Sequence, residues 1–177
     1  YSQTLTVGVY PNPPLISIDS LKPPSGFMVE LLNEVARMNN WQLEYRRYNF
    51  AECLEALESG EIDLMPGLAF SQSRDSLFLL NKVNATVNWA KIYKHEDNKA
   101  QYNSVEDLRN HRIAVLEEDF YVRNGDNGLL DLLDELHIPV NIQFYSAYDD
   151  VVTAVENGEA ELGLLSRHYG VFQTIDN

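Results

Sequence analysis

Residues 5–10 (L-T-V-G-V-Y) alternate apolar and polar positions, a period of two that predicts a β-strand. Pro11-Asn12-Pro13-Pro14 stops it, because proline fixes φ and removes a backbone donor. A polar segment, residues 17–25, leads to Gly26. Then Met28, Leu31, Leu32, Val35 and Met38 recur at helical spacing as far as Asn39-Asn40. Residues 41–48 predict a second strand. Asn49, with Glu52 three positions on, is a capping box that opens a helix running to Ser59. Gly60 stands where that helix ends, and residues 62–66 read as a short buried strand.

Much of this pattern returns later in the chain. Residues 112–116 predict a strand and Glu117-Glu118-Asp119-Phe120-Tyr121 the loop after it. Leu129, Leu130, Leu132, Leu133 and Leu136 place a helix within 128–137, and residues 140–145 form another strand. Ser146, with Asp149 at the third position, is expected to cap the next helix; Gly158 ends it, and residues 161–165 form the last strand. The likeness is strongest at two stretches, A-L-E-S-G-E-I-D-L at 56–64 and A-V-E-N-G-E-A-E-L at 154–162. Each predicts helix, glycine turn, strand. The order β-α-β-α-β in both halves implies two lobes of one design. Crossovers of this kind make parallel sheets, with ligands at the carboxyl ends of the strands.

Between the two units lie S-Q-S-R (71–74), an apolar run at 77–80, and residues 83–94, which have strand character. Residues 95–101 are polar, and Ser104 caps a short helix through Leu108. The lobes are expected at 1–91 and 92–177, with the crossing strand near 83–94.

Composition narrows the function classes. Lys and Arg number 13 against 27 Asp and Glu, a net charge of −14. Nucleic acid and anionic lipid surfaces need a positive footprint, so both are excluded as partners. The single cysteine, Cys53, lies on the apolar face of a helix and reads as a buried thiol. No run of about 18 apolar residues exists to cross a membrane as a helix. The four histidines show no metal-ligand spacing, and no nucleophile elbow, P-loop or dinucleotide fingerprint occurs. No metal, cofactor or catalytic residue is therefore expected. Tyr1 is not a natural start, and the chain reads as a processed or excised piece.

Several stretches together resemble the type II periplasmic solute-binding fold in its amino-acid-binding branch, extracellular solute-binding family 3. They are residues 5–10 followed by N-P-P-L, then S-G-F-M-V-E-L-L, G-E-I-D-L, S-Q-S-R, L-R-N-H-R-I-A-V-L and G-E-A-E-L-G-L-L-S-R. Three more make the chain look most like the extracytoplasmic sensor domains of histidine kinases and diguanylate cyclases: residues 10–15, Val87-Asn88-Trp89, and Ser166-Arg167-His168-Tyr169-Gly170. The resemblance implies a two-lobed α/β domain with a small solute bound in the cleft between lobes. A complete domain of that fold carries about 50 residues more, in a return of the chain to lobe one. The expected fold is this one without that C-terminal return.

The resemblance also implies a set of site residues. Arg74 falls where relatives pair an arginine with the ligand's carboxylate, Ser71 where they place a hydroxyl donor, and Phe50 where they stack an aromatic. Arg74 reads equally as a surface arginine at a helix start, and Phe50 as a core residue. Tyr10 and Asn12 lie in the first cleft loop. Lobe two departs from the amino-acid pattern. Glu118, Asp119 and Phe120 replace the small residues that receive a carboxylate, and Ser166 replaces the acid that binds the α-ammonium. Asp119 is the alternative source of that negative charge.

The function expected is that of a ligand-sensing domain of a signal-transduction receptor, binding a small polar or anionic solute. It would stand in the periplasm or on the outer face of the cytoplasmic membrane, in a membrane-anchored parent with dimerisation left open. A free solute-binding protein of an ABC transporter is the alternative. An enzyme of the same fold, such as a dehydratase, comes third.

Overall fold

A computed structural model describes residues 3–123 and 128–175. The chain divides into two compact units, Tyr1–Lys82 and Val83–Asn177. The 56–64 repeat lies in the first and the 154–162 repeat in the second.

In the first unit β1 (Gln3–Val9) and β2 (Trp41–Arg47) pair in parallel, from Gln3 opposite Trp41 to Val9 opposite Arg47. Parallel neighbours need a crossover, and α1 (Phe27–Asn39) supplies it. Asn40 ends α1 in the left-handed region, its N–H returned to the carbonyls of Ala36 and Arg37. The capping box at α2 (Phe50–Glu58) is formed: Asn49 Oδ1 accepts from the Glu52 N–H at 2.8 Å, and Glu52 Oε2 from the Asn49 N–H at 3.0 Å. Gly60 has φ 75°, a conformation that costs glycine little.

The strand expected at 62–66 shrinks to a single parallel bridge between Val7 and Leu64. The reason is that no strand among the described residues flanks this segment on its other side. Beyond it, α3 (Gln72–Leu77) starts at Ser71, whose Oγ accepts the Arg74 N–H. The apolar run at 77–80 is not core, since Leu77 and Leu79 are exposed.

The second unit holds a four-stranded sheet in the order β3-β6-β4-β5. Its strands are β3 (Ala90–Lys94), β4 (Arg112–Leu116), β5 (Asn141–Tyr145) and β6 (Leu162–Ser166). β4 runs parallel to β5 and β6, while β3 lies antiparallel on β6. Only residues 90–94 of the expected crossing strand are strand. Residues 86–89 are held instead by the start of α6 (Arg167–Ile175). The Arg167 N–H donates to the Trp89 carbonyl at 2.7 Å, and His168 Nε2 to that of Val87 at 3.2 Å. These contacts carry the segment from Val83 onward into the second unit.

A short 3₁₀ turn, Val105–Leu108, and α4 (Leu129–Glu135) cover the sheet, and α5 (Tyr148–Glu156) packs against β4, β5 and β6. Ile113, Val115, Leu130, Leu133, Leu162 and Leu164 are among the residues at the centre of this unit's core. The cap of α5 differs from expectation: it is Ala147 rather than Ser146, with no side-chain hydrogen bond. Gly158 ends the α5 turn at φ 72°, as Gly60 does for α2. α6 went unforeseen, because S-R-H-Y-G offers no apolar period. Among the described residues no helix is long and apolar enough to cross a membrane.

Candidate functional site

The strand-end loops of the first unit gather five of the expected residues. Tyr10 directly follows β1, and Phe50 opens α2 after β2. Ser71 and Arg74 begin α3 beyond the bridged segment. Tyr10 and Phe50 are both buried, with their rings edge to face and centroids 4.9 Å apart. The Tyr10 hydroxyl donates to the Gly67 carbonyl at 3.3 Å, which ties the first loop to the third.

The Arg74 guanidinium lies over the Phe50 ring, 5.8 Å from its centroid, and its Nη1 donates to the Ala69 carbonyl at 3.3 Å. Ser71 is buried: its Oγ accepts from the Arg74 N–H at 3.1 Å and lies 2.9 Å from Ser73 Oγ. Its hydroxyl thus serves as the cap of α3. Asn12 is 7% exposed, and the loop closes on its backbone through paired hydrogen bonds with Ile16, both 2.9 Å. The side-chain Oδ1 is buried without a hydrogen-bond partner among the described residues. A buried carbonyl oxygen left that way costs about 1–3 kcal/mol, which makes Asn12 the polar group in this loop most in need of a donor.

The second unit places its three expected residues differently. Asp119 is 6% exposed, and its carboxylate is engaged internally: Oδ1 accepts the Tyr121 N–H at 3.1 Å and Oδ2 the Tyr148 hydroxyl at 2.5 Å. Ser166 is buried, and its Oγ accepts the Tyr169 N–H at 3.4 Å, in the manner of a helix cap. Phe120 is half-buried, edge to face with Tyr121 at 5.5 Å. Asp119 and Ser166 therefore hold their own loops in shape. The carboxylates that meet solvent here are Glu117, Glu118 and the Asp149–Asp150 pair.

The reading of the sequence missed Tyr148 and Tyr169. The Tyr169 hydroxyl donates to Asp149 and accepts from Gln173 Nε2 at 2.8 Å, and the two tyrosine rings lie 4.9 Å apart. Burial and the Asp149 carboxylate push the Tyr169 hydroxyl pKa up. Burial, with the negative charge of Asp119, raises that of Tyr121 to about 12. The signal available in the sequence was Tyr148 at the first turn of a helix and Tyr169 just past the last strand. Among the described residues no group of three His, Cys, Asp or Glu is placed to hold a metal.

In open α/β units the loops at the carboxyl ends of parallel strands are where small ligands collect. The chain belongs to the bacterial extracellular solute-binding proteins, family 3, whose model matches residues 5–161. No curated protein sequence matches significantly.

Solved structures share the fold across nearly the whole chain. An ancestral arginine-binding protein bound to glutamine aligns at a TM-score of 0.84 and 17% identity, covering 100% of this chain and 75% of that one. A putative L-cystine ABC transporter from Listeria monocytogenes aligns at 0.84 and 22%, covering 99% and 74%. An arginine transport periplasmic binding protein from Legionella pneumophila aligns at 0.79 and 20%, covering 94% and 69%. At these identities the likeness is one of fold, the two-lobed type II periplasmic architecture expected from the sequence.

Proposed function

We propose that this chain is the solute-sensing domain of an extracytoplasmic receptor, the input to a histidine kinase or diguanylate cyclase, and that it takes a small polar or anionic solute on Arg74. The binding part rests on the cluster of the first unit. The planar guanidinium fork pairs a carboxylate through two parallel hydrogen bonds, and the buried Phe50 ring beneath it holds the guanidinium in place. Asn12 Oδ1 supplies an acceptor in the adjoining loop.

The observation that carries the sensor part is the union of V-N-W with S-R-H-Y-G. Arg167 stacks on Trp89 with Cζ 4.5 Å from the ring centroid, and His168 reaches Val87 and Thr86. These are two of the three stretches by which the sequence resembles receptor sensor domains. Bound solute stabilises one conformation, and the parent protein reads that shift in population. No catalytic step belongs to the reading, so a solute that stabilises the domain is recovered unchanged.

The test has two arms. A thermal-shift panel of amino acids and small mono- and dicarboxylates is run on the domain and on Arg74→Ala. A dose-dependent rise with a carboxylate, lost in the variant, supports the binding part; an equal rise in both overturns it. The parent gene decides the sensor part, because a transmembrane helix and a kinase or cyclase domain downstream are expected. The second reading, a binding protein serving a transporter, is favoured by the fold neighbours from Listeria and Legionella, and a gene that ends with this domain would establish it.

A further inference from the structure

Three loops leave the carboxyl ends of β4, β5 and β6, and one set of side chains links all three. Asp119 lies in the loop after β4. Tyr148 opens α5 after β5, and Tyr169 lies in the first turns of α6 after β6. Tyr148 donates to Asp119, Tyr169 donates to Asp149 on the first turn of α5, and the two rings pack at 4.9 Å with planes tilted by 34°. Tyr148 is 4% and Tyr169 1% exposed, so their hydroxyls are committed to these partners and not to water.

We propose that Tyr148 and Tyr169 are positioning residues, a clamp that makes the three strand-end loops of the second unit move as one body and holds its solute-facing end in a single shape. The chain of contacts runs from the Tyr121 N–H through Asp119, Tyr148, Tyr169 and Asp149 to the start of α5. Gln173 secures the far side through its bond to the Tyr169 hydroxyl. Each tyrosine joins two loops: Tyr148 ties its own to the β4 loop by a hydrogen bond, and Tyr169 ties its own to the α5 start by another. The clamp also keeps the Asp119 carboxylate turned onto the Tyr121 N–H and the Tyr148 hydroxyl.

The proposal rests on reading these loops as the solute-facing end of the unit. The experiment is hydrogen exchange of single amides, read by NMR on the whole chain, for wild type, Tyr169→Phe and Tyr148→Phe. It needs no solute, so its failure leaves the solute reading standing, and a failed solute screen leaves the clamp standing.

Tyr169→Phe keeps the stacked ring and removes one oxygen. Its expected effect is about tenfold faster exchange at Tyr169 and also at Tyr121 and Val122, which are joined to Tyr169 through Asp119 and Tyr148. Amides inside β4 and β6, such as those of Val115 and Leu164, keep their wild-type rates. Acceleration confined to α6 overturns the clamp, and so does uniform acceleration throughout the unit. Should Tyr169→Phe lose its fold, Asp149→Asn takes its place, with the same pattern expected and a wild-type pattern overturning the proposal.

Discussion

Glu161 grips Arg112 by backbone and side chain together. Its N–H donates to the Arg112 carbonyl at 3.0 Å, its Oε2 accepts the Arg112 N–H at 2.7 Å, and its two carboxylate oxygens take the guanidinium at 3.1 Å each. The first unit repeats the backbone part with Asp63 and Thr6. The Asp63 N–H donates to the Thr6 carbonyl at 2.8 Å, and its Oδ2 accepts the Thr6 N–H at 2.7 Å. Asp63 and Glu161 hold the same place in the two nine-residue repeats. The repeat therefore encodes a way for an acid to fasten β1 in the first unit and β4 in the second beside the glycine turn.

Replacing Glu161 by Gln is expected to remove part of the acid sensitivity of folding. The Arg112 side chain, then the backbone N–H of the same residue, hold the Glu161 carboxyl below its ordinary range. A depressed folded-state pKa stabilises the fold above the unfolded value, about 4.3, and that stability is lost as pH falls through the folded one. Both side chains are more than a third exposed, so the effect is modest and screened by salt. Urea midpoints from pH 7 down to 3 should fall less steeply for Glu161→Gln; parallel curves would show that the pair contributes nothing.

Gly8→Ala is expected to destabilise the first unit by about 1–3 kcal/mol, the usual cost of overpacking a core. A Cβ there would stand 2.3 Å from Ile62 Cδ1 and 2.6 Å from Cys53 Sγ. Chemical denaturation measures it, and an unchanged midpoint would mean that Ile62 and Cys53 move aside freely.

Cys53 is expected to resist alkylation in the native protein. It is fully buried, and loss of solvation pushes its thiol up to about 12. Because the folded-state pKa is raised, its contribution to stability is complete below the unfolded value, about 8.5, and declines as pH rises from there toward 12. Iodoacetamide at pH 8 should label it only at the rate of unfolding; prompt stoichiometric labelling would contradict the burial.

Arg74→Ala is expected to cost about 2–5 kcal/mol in affinity for a carboxylate solute, much of it from the partner left unpaired. Calorimetry with whichever carboxylate the thermal-shift panel returns reads it directly. Arg74→Lys should recover only part, because an ammonium lacks the planar fork.

Free α-amino acids are expected to bind more weakly than about 100 μM. The two lobe-two groups nearest to serving an α-ammonium are committed elsewhere: Ser166 Oγ to the Tyr169 N–H, and the Asp119 carboxylate to Tyr121 and Tyr148. A missing charge-assisted hydrogen bond removes about 1.5–3 kcal/mol, roughly tenfold to a hundredfold in affinity. At 1 mM, a ligand of about 100 μM affinity adds about 1.4 kcal/mol of stability. A melting-temperature rise that corresponds to a larger, saturable stabilisation with any of the twenty amino acids would refute the prediction.

The local pattern determined α1, α2, α4 and α5, the glycine turns after α2 and α5, and the duplication. Apolar spacing places α1 and α2, Asn49 with Glu52 caps α2, and Gly60 and Gly158 turn both repeats, each through interactions within a few residues of the chain. The family resemblance, and not the local pattern, brought Tyr10, Phe50, Ser71 and Arg74 forward as candidates. Tertiary structure decided which polar groups those candidates bond. Asp119 finds Tyr148 at a separation of 29 residues and Tyr169 finds Asp149 at 20, pairings that no period or motif announces. Strand length was decided there as well. Residues 162–166 become a full strand because β3 and β4 flank them, while the matching residues of the first unit, with β1 alone beside them, make one bridge. A strand is completed by its neighbours' hydrogen bonds, and those neighbours come from distant parts of the chain.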